Sequence, residues 1–174
     1  CPYGVSVDSK LDRVRAADSM NGRIAIMNLK LGHVRHLKGS DQFQLGKPHD
    51  VCAEEGSDVL YVTDHHKHCV LVMTETGRHV RVIGKRGRNP GELWHPKGIE
   101  ISEGLLYVTD GCHRVQVFKT DGTFVASYGS EGSGPNNFDY PCGLTVVGDI
   151  VYVADNDNHR VQRLNKHTGK FLGC

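Results

Sequence analysis

Apolar residues in this chain come in short alternating or β-branched runs, and nowhere at helical spacing over three turns. Gly143-Leu144-Thr145-Val146-Val147 reaches a Gly148-Asp149 turn and continues as Ile150-Val151-Tyr152-Val153-Ala154. Val161-Gln162-Arg163-Leu164, a Thr168-Gly169 turn and Phe171-Leu172 follow. Val, Ile, Tyr, Thr and Phe suit a pleated, half-buried surface, and Gly and Asp punctuate it. The pattern predicts strands joined by tight turns, with Asp121-Gly122 as a hairpin signal.

The pattern repeats. Leu60-Tyr61-Val62-Thr63-Asp64 returns as Leu106-Tyr107-Val108-Thr109-Asp110 and as Val151-Tyr152-Val153-Ala154-Asp155, with a worn copy at Val14-Arg15-Ala16-Ala17-Asp18. The aspartates stand 46, 46 and 45 residues apart. Pro2, Pro48, Pro96 and Pro141 keep the same beat, each followed two residues later by Gly4, Asp50, Gly98 or Gly143. Turn glycines recur at Gly32, Gly77, Gly122 and Gly169, and closing glycines at Gly39, Gly84, Gly129 and Gly173. Each unit therefore reads as four short antiparallel strands, a sheet that must stack on its neighbours to bury both faces.

Four-stranded sheets at this period predict an all-β propeller with blades at about 1–43, 44–92, 93–138 and 139–174. Trp94, the only tryptophan, lies in a linker before Pro96, so the Trp-Asp ending of a WD40 array is missing. Gly-Gly pairs of the kelch kind are also missing, and Val stands where a receptor-type Tyr-Trp-Thr-Asp array has Trp. What remains is a glycine-rich linker, Phe or Leu, Pro-x-Gly, a strand, a second strand ending in Asp, and a loop before Arg-Val. The clearest instance runs through Gly129 to Phe138, Pro141-Cys142-Gly143 and Asp155 to Val161.

This string resembles the NHL repeat over all 174 residues. The resemblance implies a six-bladed propeller, so four units are expected to be an incomplete arc with two uncovered blade faces, its remaining blades lying in the parent chain. The start at Cys1 fits a piece of a longer reading frame. The resemblance also implies a binding scaffold for a protein partner first and RNA second. In tripartite-motif ubiquitin ligases such a propeller selects the substrate while a RING elsewhere does the chemistry. The alternative is a fragment of a metal-dependent six-bladed hydrolase or lyase.

Composition adds limits. The chain is 38% hydrophobic and 24% charged with a net charge of +1, ordinary for a folded domain and no general magnet for polyanions. No apolar run approaches the ~18–20 residues of a membrane helix. The six cysteines contain no C-x-x-C pair. Their irregular spacing favours a reduced, cytoplasmic setting over a disulfide-bearing one.

Candidate positions cluster in the loop after each Asp. Asp18, Asp110 and Asp155 precede Arg23, Arg114 and Arg160 by four or five residues, a spacing for a pair bracing the loop; Asp64 has Cys69 at the arginine position. His68, His113 and His159 stand one residue earlier, with Gly22 in the first unit, as exposed loop residues or binding groups. His65-His66-Lys67-His68-Cys69 is the densest ligand-type cluster. Ligands so closely spaced on one short loop rarely reach tetrahedral geometry together, so no metal or other cofactor is assigned. Arg78, Arg81, Lys85, Arg86 and Arg88 form a basic stretch suited to phosphates or an acidic protein surface, with Trp94 as the one aromatic for base stacking. Signatures of a serine hydrolase, a zinc protease or a phosphate loop are missing, and no catalytic residue is assigned.

Overall fold

The alternating runs form the expected strands in a computed structural model that describes residues 2–32, 34–40 and 43–174. Cys1 lies outside the described residues. The first blade is β1 (Pro2–Asp8), β2 (Arg13–Asp18), β3 (Arg23–Met27) and β4 (Arg35–Leu37), with one 3-10 turn at Ser19–Asn21. A short pair, β5 (Gly39–Ser40) and β6 (Phe43–Gln44), leads to the second blade. That blade is β7 (Pro48–Cys52), β8 (Val59–Asp64), β9 (Cys69–Thr74) and β10 (His79–Ile83). The third is β11 (Ile99–Ser102), β12 (Leu105–Asp110), β13 (Arg114–Lys119) and β14 (Phe124–Tyr128). After β15 (Ser130–Glu131) and β16 (Asn137–Phe138), the fourth is β17 (Pro141–Val147), β18 (Ile150–Asp155), β19 (Arg160–Asn165) and β20 (Phe171–Gly173). Each blade is a four-stranded antiparallel meander. No helix among the described residues is long and apolar enough to cross a membrane.

The core lies between blades. In β8 and β12 the even and odd positions face opposite neighbours, so both strands are almost wholly buried. Leu60 and Val62 pack with Ile24 and Ile26 of the first blade, while Tyr61, Val70 and Val72 pack with Ile99, Leu106 and Val108 of the third. Tyr107, Val115 and Val117 pack with Val151, Val153 and Leu164 of the fourth. Three apolar seams thus join four blades. The far face of blade 4 is open, with Val161 53% and Val147 62% exposed, as is that of blade 1, with Val5 58% and Val7 61% exposed.

The worn first unit has a structural reason. Arg15, at the repeat position of Tyr61 and Tyr107, is buried between blades 1 and 2. Its Nε donates to Glu75 Oε1 at 2.8 Å, and its Nη2 donates to the Ser57 carbonyl at 3.1 Å and Asp8 Oδ2 at 3.4 Å. A buried cation keeps its place only with such partners.

Inner strands converge at the axis, which explains the Pro-x-Gly step. A Cβ on Gly4 would overlap the Asp50 carboxylate, and one on Gly98 would overlap the Cys142 carbonyl. Asp50 replaces the glycine in blade 2 because its carboxylate bonds there, accepting from the Ile99 amide of blade 3 at 3.1 Å and from the Val51 amide at 2.8 Å. At Gly143 a Cβ would meet only open space, since no blade follows on that side.

Candidate functional site

The loops after the four aspartates share one face of the arc, and each is built on its carboxylate. Arg23 Nε donates to Asp18 at 2.7 Å, Arg160 Nε to Asp155 at 2.7 Å, and Arg114 Nη2 to Asp110 at 3.2 Å. Asp64 has no such arginine and accepts instead from the amides of Gly46, Lys47, His66 and Lys67 at 2.6–3.1 Å. Asp155 is fully buried; burial raises its pKa, but the Asp139 amide together with Arg160, Asn158 and Gln162 outweighs this and holds it below the usual carboxylate value.

The aligned histidines occupy one backbone position. His68, His113 and His159 sit at φ of 58, 57 and 52°, where the first blade has Gly22 at 57°. This is the left-handed conformation, which histidine tolerates better than most side chains. Two of them also tie successive blades. His68 Nδ1 accepts from the His95 amide at 3.0 Å, and His113 Nδ1 from the Tyr140 amide at 3.2 Å. His95 and Tyr140 are the residues preceding Pro96 and Pro141. The His68 and His113 rings therefore stand at separate inter-blade struts, while His159 is exposed with no blade beyond it.

The basic stretch divides. Arg78 and Arg81 are exposed on and just before the outer strand β10, whose pairing with β9 puts Arg78 at the end away from the Asp64 loop. Lys85 faces Glu92 at 3.5 Å on the surface. Arg86 and Arg88 reach the Asp-loop face, with guanidinium carbons 4.9 and 5.2 Å from the Trp94 ring centre. Among the described residues neither has a carboxylate partner.

Trp94 ends a ladder of rings that the sequence conceals. Tyr3 stacks on His49 at 4.6 Å, and His49 lies 6.0 Å from His65. His65 meets His95 at 4.4 Å, His95 meets His68 at 4.2 Å, and His68 meets Trp94 at 4.8 Å. The ladder runs from the axis to the rim across blades 1, 2 and 3. Burial, then the nearby Lys97, pulls the His49 pKa down to about 4; burial, then His95, does the same for His65. Both imidazoles are neutral at pH 7. His49 was visible in the sequence only as the unmatched middle residue of Pro-His-Asp, and His95 as the residue before a repeat proline.

At the axis the ladder borders a cleft of about 500 Å³, lined among others by Tyr3, Lys47, His49, Asp50, His65 and Tyr140. Burial pushes Asp50 up to about 6. Lys97, 1% exposed, has Nζ 2.7 Å from the Tyr140 ring centre and no hydrogen-bond partner among the described residues. Burial lowers its pKa to about 8. The His65–Cys69 cluster disperses: His66 is exposed, His68 is committed to the His95 amide, and Cys69 is buried in β9 with its thiol pushed up to about 12 by burial. Among the described residues no group of three or more His, Cys, Asp and Glu side chains is arranged to hold a metal ion. The five described cysteines, Cys52, Cys69, Cys112, Cys142 and Cys174, are free thiols.

Comparison with known proteins agrees with this architecture. Residues 33–110 match the family model described as a 6-bladed beta-propeller, and residues 138–164 match the NHL repeat. No curated protein matches by sequence. Among solved structures, the chain superposes on a streptogramin B lyase with a TM-score of 0.71 and 19% identity, covering 98% of this chain and 53% of the lyase. Hydrazine synthase from Kuenenia stuttgartiensis gives a TM-score of 0.74 at 16% identity, covering 99% and 48%. A chain of a nidogen/laminin complex gives 0.66 at 20% identity, covering 99% and 78%. The chain spans about half the length of the first two. Likeness at these identities establishes the fold alone. Fold, repeat pattern and family matches together make this chain a β-propeller, consistent with the NHL type through the repeat matched at residues 138–164.

Proposed function

We propose that this propeller is a non-catalytic recognition scaffold whose Asp-loop face docks an acidic segment of a protein partner. The observation that carries the reading is the pair Arg86 and Arg88, exposed, without carboxylate partners among the described residues, and aligned over Trp94. An aromatic ring beneath a guanidinium restrains it at little entropic cost and leaves its donors free for a carboxylate. Exposed Lys47 and Lys67 add positive charge on the same face. A protein partner is favoured over RNA because Trp94 is already occupied: His68 and both guanidiniums contact its ring, and His95 meets it edge-on at 5.1 Å. An unpaired base therefore finds no free stacking face there. The nidogen/laminin neighbour, solved in a protein complex, supports protein recognition as a use of this fold.

On the same reading, two further blades of the parent protein would cover the open faces of blades 1 and 4. Any ubiquitin-ligase chemistry would reside in another domain of that parent. The test is binding of fluorescent poly-glutamate and of oligo-uridine to the chain and to an Arg86→Glu/Arg88→Glu variant. Poly-glutamate should bind with strong salt dependence and lose at least about tenfold in the variant. Oligo-uridine binding tighter than poly-glutamate, or poly-glutamate binding unchanged in the variant, overturns the proposal.

A further inference from the structure

We infer that the linker between blades 2 and 3 carries an acid-released latch: a proton on His68 undoes its tie to His95, frees the Trp94 ring, and so weakens docking of the acidic partner on Arg86 and Arg88. Control of docking presupposes the recognition face proposed above; the latch itself does not.

The tie is built so that a proton breaks it. His68 is 7% exposed, and its Nδ1 accepts from the His95 amide at 3.0 Å. An imidazole nitrogen accepts only while it carries no hydrogen, so His68 here is neutral with its proton on Nε2. In the imidazolium both nitrogens donate, and Nδ1–H would face another N–H. The ring is also hemmed in, 4.2 Å from the His95 ring and 4.8 Å from the Trp94 ring. His95 in turn meets His65 at 4.4 Å, with the two Nδ1 atoms 3.3 Å apart. Three imidazoles in contact have little room for positive charge.

The surroundings act in the same direction. Burial first, then His95, Arg86 and His66, hold the His68 pKa below the usual 6.5, while Asp64 pulls the other way. Burial, then His95, His49, Lys97 and His68, bring His65 to about 4. The strut at the next seam is different. His113 Nδ1 accepts from the Tyr140 amide, but Asp139 Oδ1 lies 3.3 Å from the same nitrogen, ready to pair with a proton there. Among the described residues His68 has no such ion pair.

The tied form has the lower pKa, so the tie is fully present above 6.5 and is lost as pH falls below it. A freed ring with the ordinary value favours opening by up to about thirtyfold at pH 5 relative to neutral pH. Opening is local. The Trp94 carbonyl accepts from the Gly111 amide at 2.6 Å, and the Leu93 amide donates to the Lys85 carbonyl at 2.8 Å. The linker backbone therefore stays in place while the Trp94 ring leaves His68, and Arg86 and Arg88 lose the platform that restrains them.

Trp94 is the only tryptophan, so its emission reports the latch directly. The experiment follows that emission in the full chain from pH 7.5 to 5, with circular dichroism confirming that the blades stay folded. Emission should shift to longer wavelength with a midpoint below pH 6.5. His68→Asn keeps an oxygen able to accept the His95 amide, tolerates the left-handed backbone and does not titrate, so it should abolish the shift. His113→Asn should leave the shift unchanged. Fluorescent oligo-aspartate should bind the parent chain about threefold or more weakly at pH 5.5 than at pH 7.5, as the competent fraction falls. Added histidine charge alone would strengthen it. His68→Asn should lose this weakening. The inference is overturned if emission is constant in the folded chain, if His68→Asn shows the same shift, or if oligo-aspartate binds the parent chain more tightly in acid. Absence of binding at either pH removes the recognition reading, and the emission shift then decides the latch alone.

Discussion

Replacing Thr63 by Val tests what locks one blade to the next. Thr63 is fully buried. Its Oγ1 accepts from the Asp50 amide at 3.0 Å and donates to the Lys97 carbonyl of the following blade at 2.6 Å. Valine keeps the shape and the strand preference but removes both bonds, leaving one buried N–H and one buried C=O without this partner. Each such group costs about 1–3 kcal/mol, so the loss should be about 2–4 kcal/mol. Thr109 makes the same clasp, accepting from the Gly98 amide at 2.9 Å and donating to the Cys142 carbonyl at 2.5 Å. There the Gly98 amide also reaches the Cys142 carbonyl directly at 3.1 Å, so the two groups still pair after substitution. Thr109→Val should therefore cost only about 1 kcal/mol. Ala154 holds the equivalent place in blade 4, where no blade follows, and Ala154→Thr should stay within about 0.5 kcal/mol of the parent. Urea unfolding followed by circular dichroism reads all three. With a slope of about 2–3 kcal/mol per molar, Thr63→Val should lower the midpoint by roughly 1 M. A Thr63→Val midpoint equal to that of the parent chain would refute the clasp, and a larger effect at Thr109 would refute the account of its backup bond.

Three more outcomes follow from the same structure. The native pKa values of His49 and His65, about 4, lie below the ordinary 6.5, so the unfolded chain takes up protons first and stability should fall as pH drops from about 6.5 toward 4. Asp50, raised to about 6, works in the opposite direction below pH 6; His65→Gln should flatten the net loss, read as urea midpoints at pH 7.5 and 5. Asp155 is held below its ordinary value, so its stabilisation is present above about pH 4 and disappears in acid; Asp155→Asn should lower stability at pH 7 and reduce the acid-side slope of the unfolding midpoint. Gly98→Ala should destabilise strongly because its Cβ overlaps the Cys142 carbonyl, whereas Gly143→Ala should be neutral in this chain; in a longer protein whose next blade covers that face, Gly143→Ala should become costly, as differential scanning calorimetry of both forms would show.

The fold was legible because every blade solves one burial problem with one set of residues. Two-sided burial demands Leu-Tyr-Val-Thr, and the buried aspartate demands donors in its own loop, so both recur at fixed spacing. The departures from the pattern were legible as departures but not as solutions. Arg15 for Tyr is explicable only once Glu75, 60 residues away, is seen beside it. Asp50 for Gly makes sense only when the Ile99 amide of the next blade is in place. The repeated histidines pointed to a shared position and not to its cause, a left-handed backbone that also lets the ring accept an amide from the following linker.

The candidate sites were the least legible part, and the reason is geometric. Tyr3, His49, His65, His95, His68 and Trp94 occupy different offsets of the repeat: the axis, the Asp loop and the residues before a proline. Only the turn of one blade onto the next brings them into a single line. A repeat specifies the scaffold by being the same each time, so a recognition surface must be written in the positions where units differ. In this chain those differences concentrate on the seam between blades 2 and 3. Unit two has lost its loop arginine, which leaves Asp64 to the backbone and frees the loop to carry histidines. The linker to unit three adds Arg86, Arg88 and Trp94, and unit three places Lys97 at the axis. Substitutions that make this seam resemble its neighbour, such as Trp94→Asp with His95→Tyr after Asp139 and Tyr140 of the linker to blade 4, should therefore preserve folding while weakening the rim binding described above.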